Sequence, residues 1–405
     1  MIAYLKEYFD FKLLFICLAL VLVGLVSVYS ATYDVLEAAP FFKQSIWAGI
    51  GLFVLFFAAF IPQKTLQRAA IPFYVSMLFV LIVILVIGKT ISGSKSWFGF
   101  GGLGGQPSEF AKVATVLMLG AYLARTTTSL KKPRHLLVAV GIVLLPMALV
   151  LAQPDLGTAI VFFAMMLPVL FWAGSSHFVL AAIISPVLVA AGALAGTIYF
   201  LVSIAAVGLL LYFTRQNNFA AAVAFGLTLA VGLSTQAVYE RLPYYQQNRI
   251  KTFLNPQLDP RGAGYNVQQS RVAIGSGGIF GKGYMRGSQT QYKFIPEQWT
   301  DFIFCVPGEE FGFVGSSSVI ILFTALLLHG LSIANTSKNK FASASAIGIV
   351  GIFGTHMAVN IGMSMGMLPV VGIPLPFLSY GGSALLANMT MVGLLMNFYT
   401  NRKEH

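Results

Sequence analysis

Apolar runs of about 20 residues recur along this chain, each long enough to cross the roughly 30 Å hydrocarbon core of a bilayer. The first, FKLLFICLALVLVGLVSVYSA, begins at Phe11. In lipid every backbone N–H and C=O has to find its partner within the chain, so such runs fold as helices. The sequence therefore predicts an all-α, polytopic transmembrane helical bundle. Composition agrees: 57% of the 405 residues are hydrophobic and 9% are charged, against about 25% charged in an ordinary soluble domain.

Spans are predicted near 11–31, 43–61, 69–90, 108–125, 135–152, 157–173, 177–195, 197–213, 219–237, 311–333, 342–362 and 381–400, about 12 spans in all. Only the stretch 177–213 lacks a strong polar break. Met1 leads through a short charged segment into a full-length span, the pattern of a retained first helix rather than a cleaved signal peptide. With the N-terminus in the cytoplasm, the inner segments hold Lys6, Lys12, Lys64, Arg68, Arg125, Lys131, Lys132, Arg134, Arg215, Lys338, Lys340, Arg402 and Lys403. The short outer segments hold Lys43, Lys89 and Lys95. This bias satisfies the positive-inside rule and puts both termini in the cytoplasm. The long segment 238–310 then lies outside, as a large extracytoplasmic element too polar and Gly-rich to be a mere connector.

The net charge of +12 raises nucleic acid as a partner, but the basic residues sit mostly in short loops between spans, which argues against it. Cys17 and Cys305 form no ligand cluster and the five histidines show no HExxH-type spacing, so no motif supports metal or redox chemistry. No internal repeat is visible, which disfavours a repeat-built transporter.

Ionisable residues at or inside spans carry the functional signal. In QPSEFAK, 106–112, Pro107 suits a first helical turn, and Glu109 and Lys112 share a helical face three residues apart. In QPDLGTA, 153–159, Asp155 reads first as an N-cap in a tight turn. IGSGGIFGKG, 274–283, fails the P-loop pattern because Gly283 follows Lys282, and fails GxGxxG because Phe280 occupies the last position. A flexible re-entrant loop is the expectation there, with Lys282 and the amides available to a phosphate. Arg261 and Arg271 lie in a polar external element, where arginine suits bidentate phosphate contact. PVVGIPLPFLSYGGS, 369–383, cannot be a regular helix with Pro369, Pro374 and Pro376, so it is expected to line a cavity.

FIPEQWTDFIF, 294–304, sets Asp301 between Trp299 and an apolar run. Two readings stand. Thr300 or Asp301 caps a helix starting around Phe302 while Trp299 anchors the interface, or Asp301 is an outward-facing carboxylate acting as a general base beside a wet cavity. Glu309 and Glu310 follow as candidate structural ligands for loop amides.

These segments resemble the shape, elongation, division and sporulation (SEDS) family of cell-wall polymerases. The resemblance is carried by QPSEFAK, QPDLGTA, NRIKTFLNP, DPRGAGYNVQQSRVAIGSGGIFGKG, GSQTQYKFIPEQWTDFIF, GEEFGFVG and GIPLPFLSYGGS, in the family's order. GSQTQ followed by FIPEQ is similar to the RodA branch. The resemblance implies a peptidoglycan glycosyltransferase that polymerises lipid II at the outer face of the bacterial cytoplasmic membrane, with Asp301 as the catalytic carboxylate. It implies that Glu109 and Lys112 face the central cavity, and that Pro374, Pro376, Phe377, Ser379 and Tyr380 line it. Thr300, beside Asp301, joins Glu109, Lys112, Arg271, Lys282, Ser379 and Tyr380 as a candidate substrate-binding residue. Lys112, Arg271 and Lys282 are candidates to stabilise the departing diphosphate. A divalent cation is compatible with that role, although no motif dedicates ligands to one.

The resemblance also implies a class B penicillin-binding protein and other elongation-complex membrane proteins as partners. Two departures stand out. The family commonly has ten spans, so 197–237 is expected to be an extra helix pair within the single domain 1–405. Cys305 and Pro307 replace small or aliphatic residues, which is expected to bend the following helix. A lipid II flippase and a non-catalytic scaffold remain the competing functions.

Overall fold

The computed structural model describes residues 9–36, 38–91, 94–100, 103–215, 217–242, 244–254 and 263–403. Lys6, Arg261 and residues 255–262 of the external motif lie outside these. The chain runs α1 (Phe11–Leu36), α2 (Ala39–Phe60), α3 (Gln63–Ile87), β1 (Lys89–Ile91), β2 (Ser94–Phe100), β3 (Leu103–Gly105), α4 (Ser108–Leu123), α5 (Pro133–Ala152) and α6 (Leu156–Trp172). It continues α7 (His177–Ala195), α8 (Thr197–Thr214), α9 (Asn218–Glu240), α10 (Tyr244–Leu254), α11 (Ala263–Ser276), α12 (Ser288–Gln291) and α13 (Cys305–Glu310). It closes with α14 (Gly312–Thr336), α15 (Lys340–Ser364) and α16 (Gly382–Thr400).

Each predicted span range holds a helix. Among the described residues nine of them are long and apolar enough to cross a membrane. The other three ranges hold α4, α6 and α16, of 16, 17 and 19 residues. Helix starts follow side-chain chemistry: Asp155, Ser176, Asn217 and Asn339 each accept a bond from a first-turn amide, which satisfies donors a helix leaves open. Asp155 is thus the N-cap that its turn suggested. The unclear boundary in 177–213 falls at Gly196, whose φ of 130° suits a residue without Cβ.

Outward faces carry Phe53, Phe57, Phe79 and Phe213, all more than 60% exposed. The chain is a multi-pass membrane protein, and such a belt is what lipid would cover. The core centres on α15, which packs against α4, α6 and α14, while α16 packs along α2. Helices α8 and α9 pack on α7 and on each other. With α7 they build a small separate cluster around Val189, Val207 and Leu211.

The all-α expectation describes the membrane body but missed a small antiparallel sheet, β1–β2–β3, between α3 and α4. The stretch 274–283 is also more ordered than the flexible re-entrant loop expected there. Lys282 N and Gly283 N donate to Glu309 O and Glu310 O, while Phe313 N and Val314 N donate to Gly278 O and Ile279 O. A Cβ on Gly277 or Gly281 would collide with the carbonyls of Gly308 or Glu310. The glycines there permit close backbone approach rather than mobility. The chain bends at Phe311–Gly312, where Gly312 has φ 63°, and not at Cys305 or Pro307, the residues from which a bend is expected. Pro307 sits in the first turn of α13, where its missing N–H goes unneeded.

The two ends of the bundle differ. One gathers chain segments around Asp10, Gln63, Lys338 and Arg402: His329 meets Asp10, Asn339 bonds Gln63, and Lys338 N donates to Arg402 O. The opposite end gathers the sheet, the Gln153–Asp155 turn, Asp301 and the loop 369–381.

Candidate functional site

Asp301 does not cap a helix. Residues 297–304 form turns, and α13 starts only at Cys305, with Phe304 at the cap position and no side-chain cap. Three consecutive carbonyls of this turn are held from outside it. Trp299 O accepts from Tyr380 N at 2.9 Å, Thr300 O from Ser379 Oγ at 2.6 Å, and Asp301 O from Asn360 Nδ2 at 2.8 Å. The main chain is thereby fixed, and Asp301 as a residue is partly buried. Burial pushes its pKa up to about 6, the Glu297 carboxylate adds to the rise, the Arg249 guanidinium opposes it, and Asp155 raises it further.

The loop 369–381 turns back on the Asp301 segment. Ser379 Oγ also accepts from Leu375 N at 2.8 Å, and Gln44 clamps the loop from α2 by donating to Ser379 O and accepting from Gly381 N. Gly372, with φ 74°, faces the carboxyl. A Cβ there would lie 3.3 Å from Asp301 Oδ2 and 3.9 Å from each terminal nitrogen of Arg249. The acid and the guanidinium therefore converge on the space that this glycine leaves.

Glu109 and Lys112 pair as their spacing suggested, with both carboxylate oxygens 3.0 Å from Nζ. Lys112 is wholly buried, and its ammonium also reaches His356 Nε2 at 2.8 Å. His356 Nδ1 lies 2.9 Å from Pro374 O. A carbonyl only accepts, so the imidazole proton sits on Nδ1 and Nε2 accepts from Lys112. In this structure Lys112 faces Glu109 and His356; meeting a substrate phosphate requires an exchange of partners.

Of the other predicted residues, Lys282 pairs with Glu309 Oε1 at 2.8 Å and with Ser288 Oγ at 2.8 Å. Glu309 also accepts from the amides of Gln289 and Thr290, each at 2.9 Å, the structural role its position suggested. Burial works against its charge, but Lys282 and these amides outweigh that and hold its pKa below the ordinary value. Glu310 is buried with Ser30 and Gln291 as partners, and burial leaves its pKa raised. Arg271 is exposed on α11, its stem lying over Gly366. Thr300 Oγ1 donates to Glu297 Oε2 at 2.9 Å, and Tyr380 is partly buried beside Trp299. The structure brings Thr300, Ser379 and Tyr380 to Asp301, joins Glu109 and Lys112 through His356 to the same loop, and puts Lys282 in a separate cluster with Glu309.

Sequence reasoning missed Arg249, His356 and Asn360. Arg249 lies in NRIKTFLNP, where nothing local points to Asp301. His356 and Asn360 offered a signal, being polar residues one turn apart inside an apolar span.

The chain matches the FtsW/RodA/SpoVE family model, described as cell cycle protein, over residues 11–200 and 178–404. It is 36% identical to the peptidoglycan glycosyltransferase RodA of Treponema pallidum, covering 96% of this chain and 97% of that one. It is 34% identical to the peptidoglycan glycosyltransferase MrdB of Escherichia coli K12, covering 98% and 95%. Among solved structures, a chain of a peptidoglycan synthase complex that coordinates polymerization and crosslinking superimposes with TM-score 0.74 at 28% identity, covering 98% of this chain and 99% of that one. Thermus thermophilus RodA superimposes with TM-score 0.65 at 26% identity, covering 98% of each. This chain belongs to the FtsW/RodA/SpoVE family, the shape, elongation, division and sporulation group its motifs resemble, on the RodA branch.

Proposed function

We propose that this protein is a peptidoglycan glycosyltransferase that polymerises lipid II into β-1,4 glycan during cell elongation, with Asp301 as the general base. The observation that carries this reading is Asp301 itself: its turn is fixed through the main-chain carbonyls of Trp299, Thr300 and Asp301 by Tyr380, Ser379 and Asn360, and burial pushes its carboxyl pKa up to about 6. Near neutral pH such a group is ionised yet more basic than an ordinary aspartate. It takes the proton of the 4-hydroxyl on the lipid II N-acetylglucosamine as that oxygen attacks the anomeric carbon of the growing strand. The carbon–oxygen bond to undecaprenyl diphosphate breaks in the same displacement, which inverts the α-linked donor to a β product. The departing diphosphate needs cationic contact. Arg249, beside Asp301, joins Lys112, Arg271 and Lys282 as candidates for that contact, and a divalent cation remains compatible with it.

The bundle end that holds Asp301 lies opposite the Lys/Arg-rich end, so we place Asp301 on the extracytoplasmic side of the cytoplasmic membrane and both termini in the cytoplasm. Both lipid tails then stay in the bilayer while the sugars approach from its outer edge. The pair 197–237 is read as a peripheral addition to a single domain, because α8 and α9 rest on α7 rather than on α15. A class B penicillin-binding protein is the proposed partner, in line with the synthase complex to which the chain is similar.

The test incubates purified protein and its cognate penicillin-binding protein with labelled lipid II and resolves products on a gel, alongside Asp301→Ala. Long glycan from the wild type and none from the folded variant is expected. Equal polymer from both overturns the assignment of Asp301. No polymer from either favours the flippase or scaffold function.

A further inference from the structure

The buried ion pair of QPSEFAK and the loop that holds Asp301 meet at one side chain. We propose that His356 is a positioning residue for glycosyl transfer, transmitting the placement of the Glu109–Lys112 pair to the loop 369–381 and through it to Asp301. This inference rests on the reading of Asp301 as the base.

His356 is 3% exposed, and both its ring nitrogens are committed: Nε2 to Lys112 Nζ at 2.8 Å and Nδ1–H to Pro374 O at 2.9 Å. One turn further along α15, Asn360 spends its two amide hydrogens on Ile373 O and Asp301 O, each at 2.8 Å. Residues four apart share a helix face. That face therefore grips two adjacent loop carbonyls, Ile373 and Pro374, and the Asp301 main chain together. Lys112 fixes the imidazole from the far side, because a ring whose Nε2 accepts from an ammonium cannot turn without removing one of that buried group's two partners, Glu109 being the other. Loop amides donate to Leu375 O, whereas among the described residues the Pro374 carbonyl takes its bond from His356. Asp301 is aimed by a chain of bonds that starts on α4, and His356 is the link that neither motif contains.

The test compares His356→Leu with His356→Gln in purified protein assayed with its penicillin-binding partner on lipid II. Glutamine presents a donor and an acceptor at nearly the spacing of the two ring nitrogens, whereas leucine presents neither. His356→Leu is expected to lower kcat 10-fold or more with KM changed less than 3-fold, and His356→Gln to recover most of kcat. The cycle of His356→Leu and Lys112→Met, alone and combined, is expected to be non-additive in kcat, because both break one chain. A folded His356→Leu with wild-type kcat overturns the proposal. So does a Gln variant as impaired as Leu, or a loss confined to the melting temperature. Polymer yield unchanged by Asp301→Ala would instead refute the base assignment and leave the His356 comparison to be read on its own.

Discussion

Replacing Lys112 by methionine tests whether the ion pair inside the bundle is a structural necessity. The ammonium is fully buried, lies 3.0 Å from both oxygens of Glu109 and meets His356 at 2.8 Å. Methionine fills most of the volume and removes the charge, leaving the Glu109 carboxylate, 2% exposed, without a cation. Breaking one side of such a pair costs about 3–5 kcal/mol.

The Lys112→Met deficit should therefore reach about 3–5 kcal/mol. Glu109→Gln strands the ammonium instead and should cost a similar amount. The double variant should be more stable than either single one, short of wild type by about 1–3 kcal/mol because His356 Nε2 loses its donor. Melting in detergent, all four proteins side by side, reads these differences. A Lys112→Met deficit below about 1 kcal/mol, or a double variant as unstable as the sum of the singles, would refute the buried-pair account.

Two further outcomes follow from the site itself. On the proposed assignment Asp301 works as a base only when ionised, so initial polymerisation rate should fall as pH drops through about 6; Glu297→Gln should move that limb to lower pH and Arg249→Gln to higher pH, and limbs that stay put would rule out this electrostatic assignment. Gly372→Ala puts a Cβ 3.3 Å from Asp301 Oδ2 on a backbone with φ 74°, a conformation that costs an L-residue about 1–2 kcal/mol; the rate should drop while melting shifts little, and an unaffected rate would show that this space is not used.

The membrane body was legible because backbone satisfaction in lipid forces each 20-residue apolar run into one structure. Local chemistry was legible too: Asp155 as a cap, Glu109 and Lys112 three apart on one face, and Glu309 as an acceptor for loop amides all depend on neighbours in sequence or on a single turn. What escaped depends on distant chain. The Gly- and Ser-rich stretch before α4 lacks strand periodicity, and β2 forms only by pairing with β1 and β3. Lys282 looked available to a phosphate because nothing local shows Glu309 beneath it. The imidazole of His356 looked like one of five scattered histidines until α15 packed it against α4.

The arrangement around Asp301 separates presentation from support. The carboxyl sits in a turn, where a side chain can face substrate, but the carbonyls of residues 299, 300 and 301 are each bonded to a different group on α15 or the loop 369–381. Both sides of this junction carry backbone strain: Glu297 has φ 57° and Phe377 has φ 66°, left-handed conformations costing of order 1–3 kcal/mol each for residues with a Cβ. Such conformations persist only where surrounding bonds over-determine them, and here those bonds run to Gln44 on α2, to His356 and Asn360 on α15, and through Lys112 to α4. A carboxylate placed this way needs little reorganisation. If Asp301 is the base, as proposed, much of its catalytic contribution is set by the folding of the bundle, before any sugar is bound.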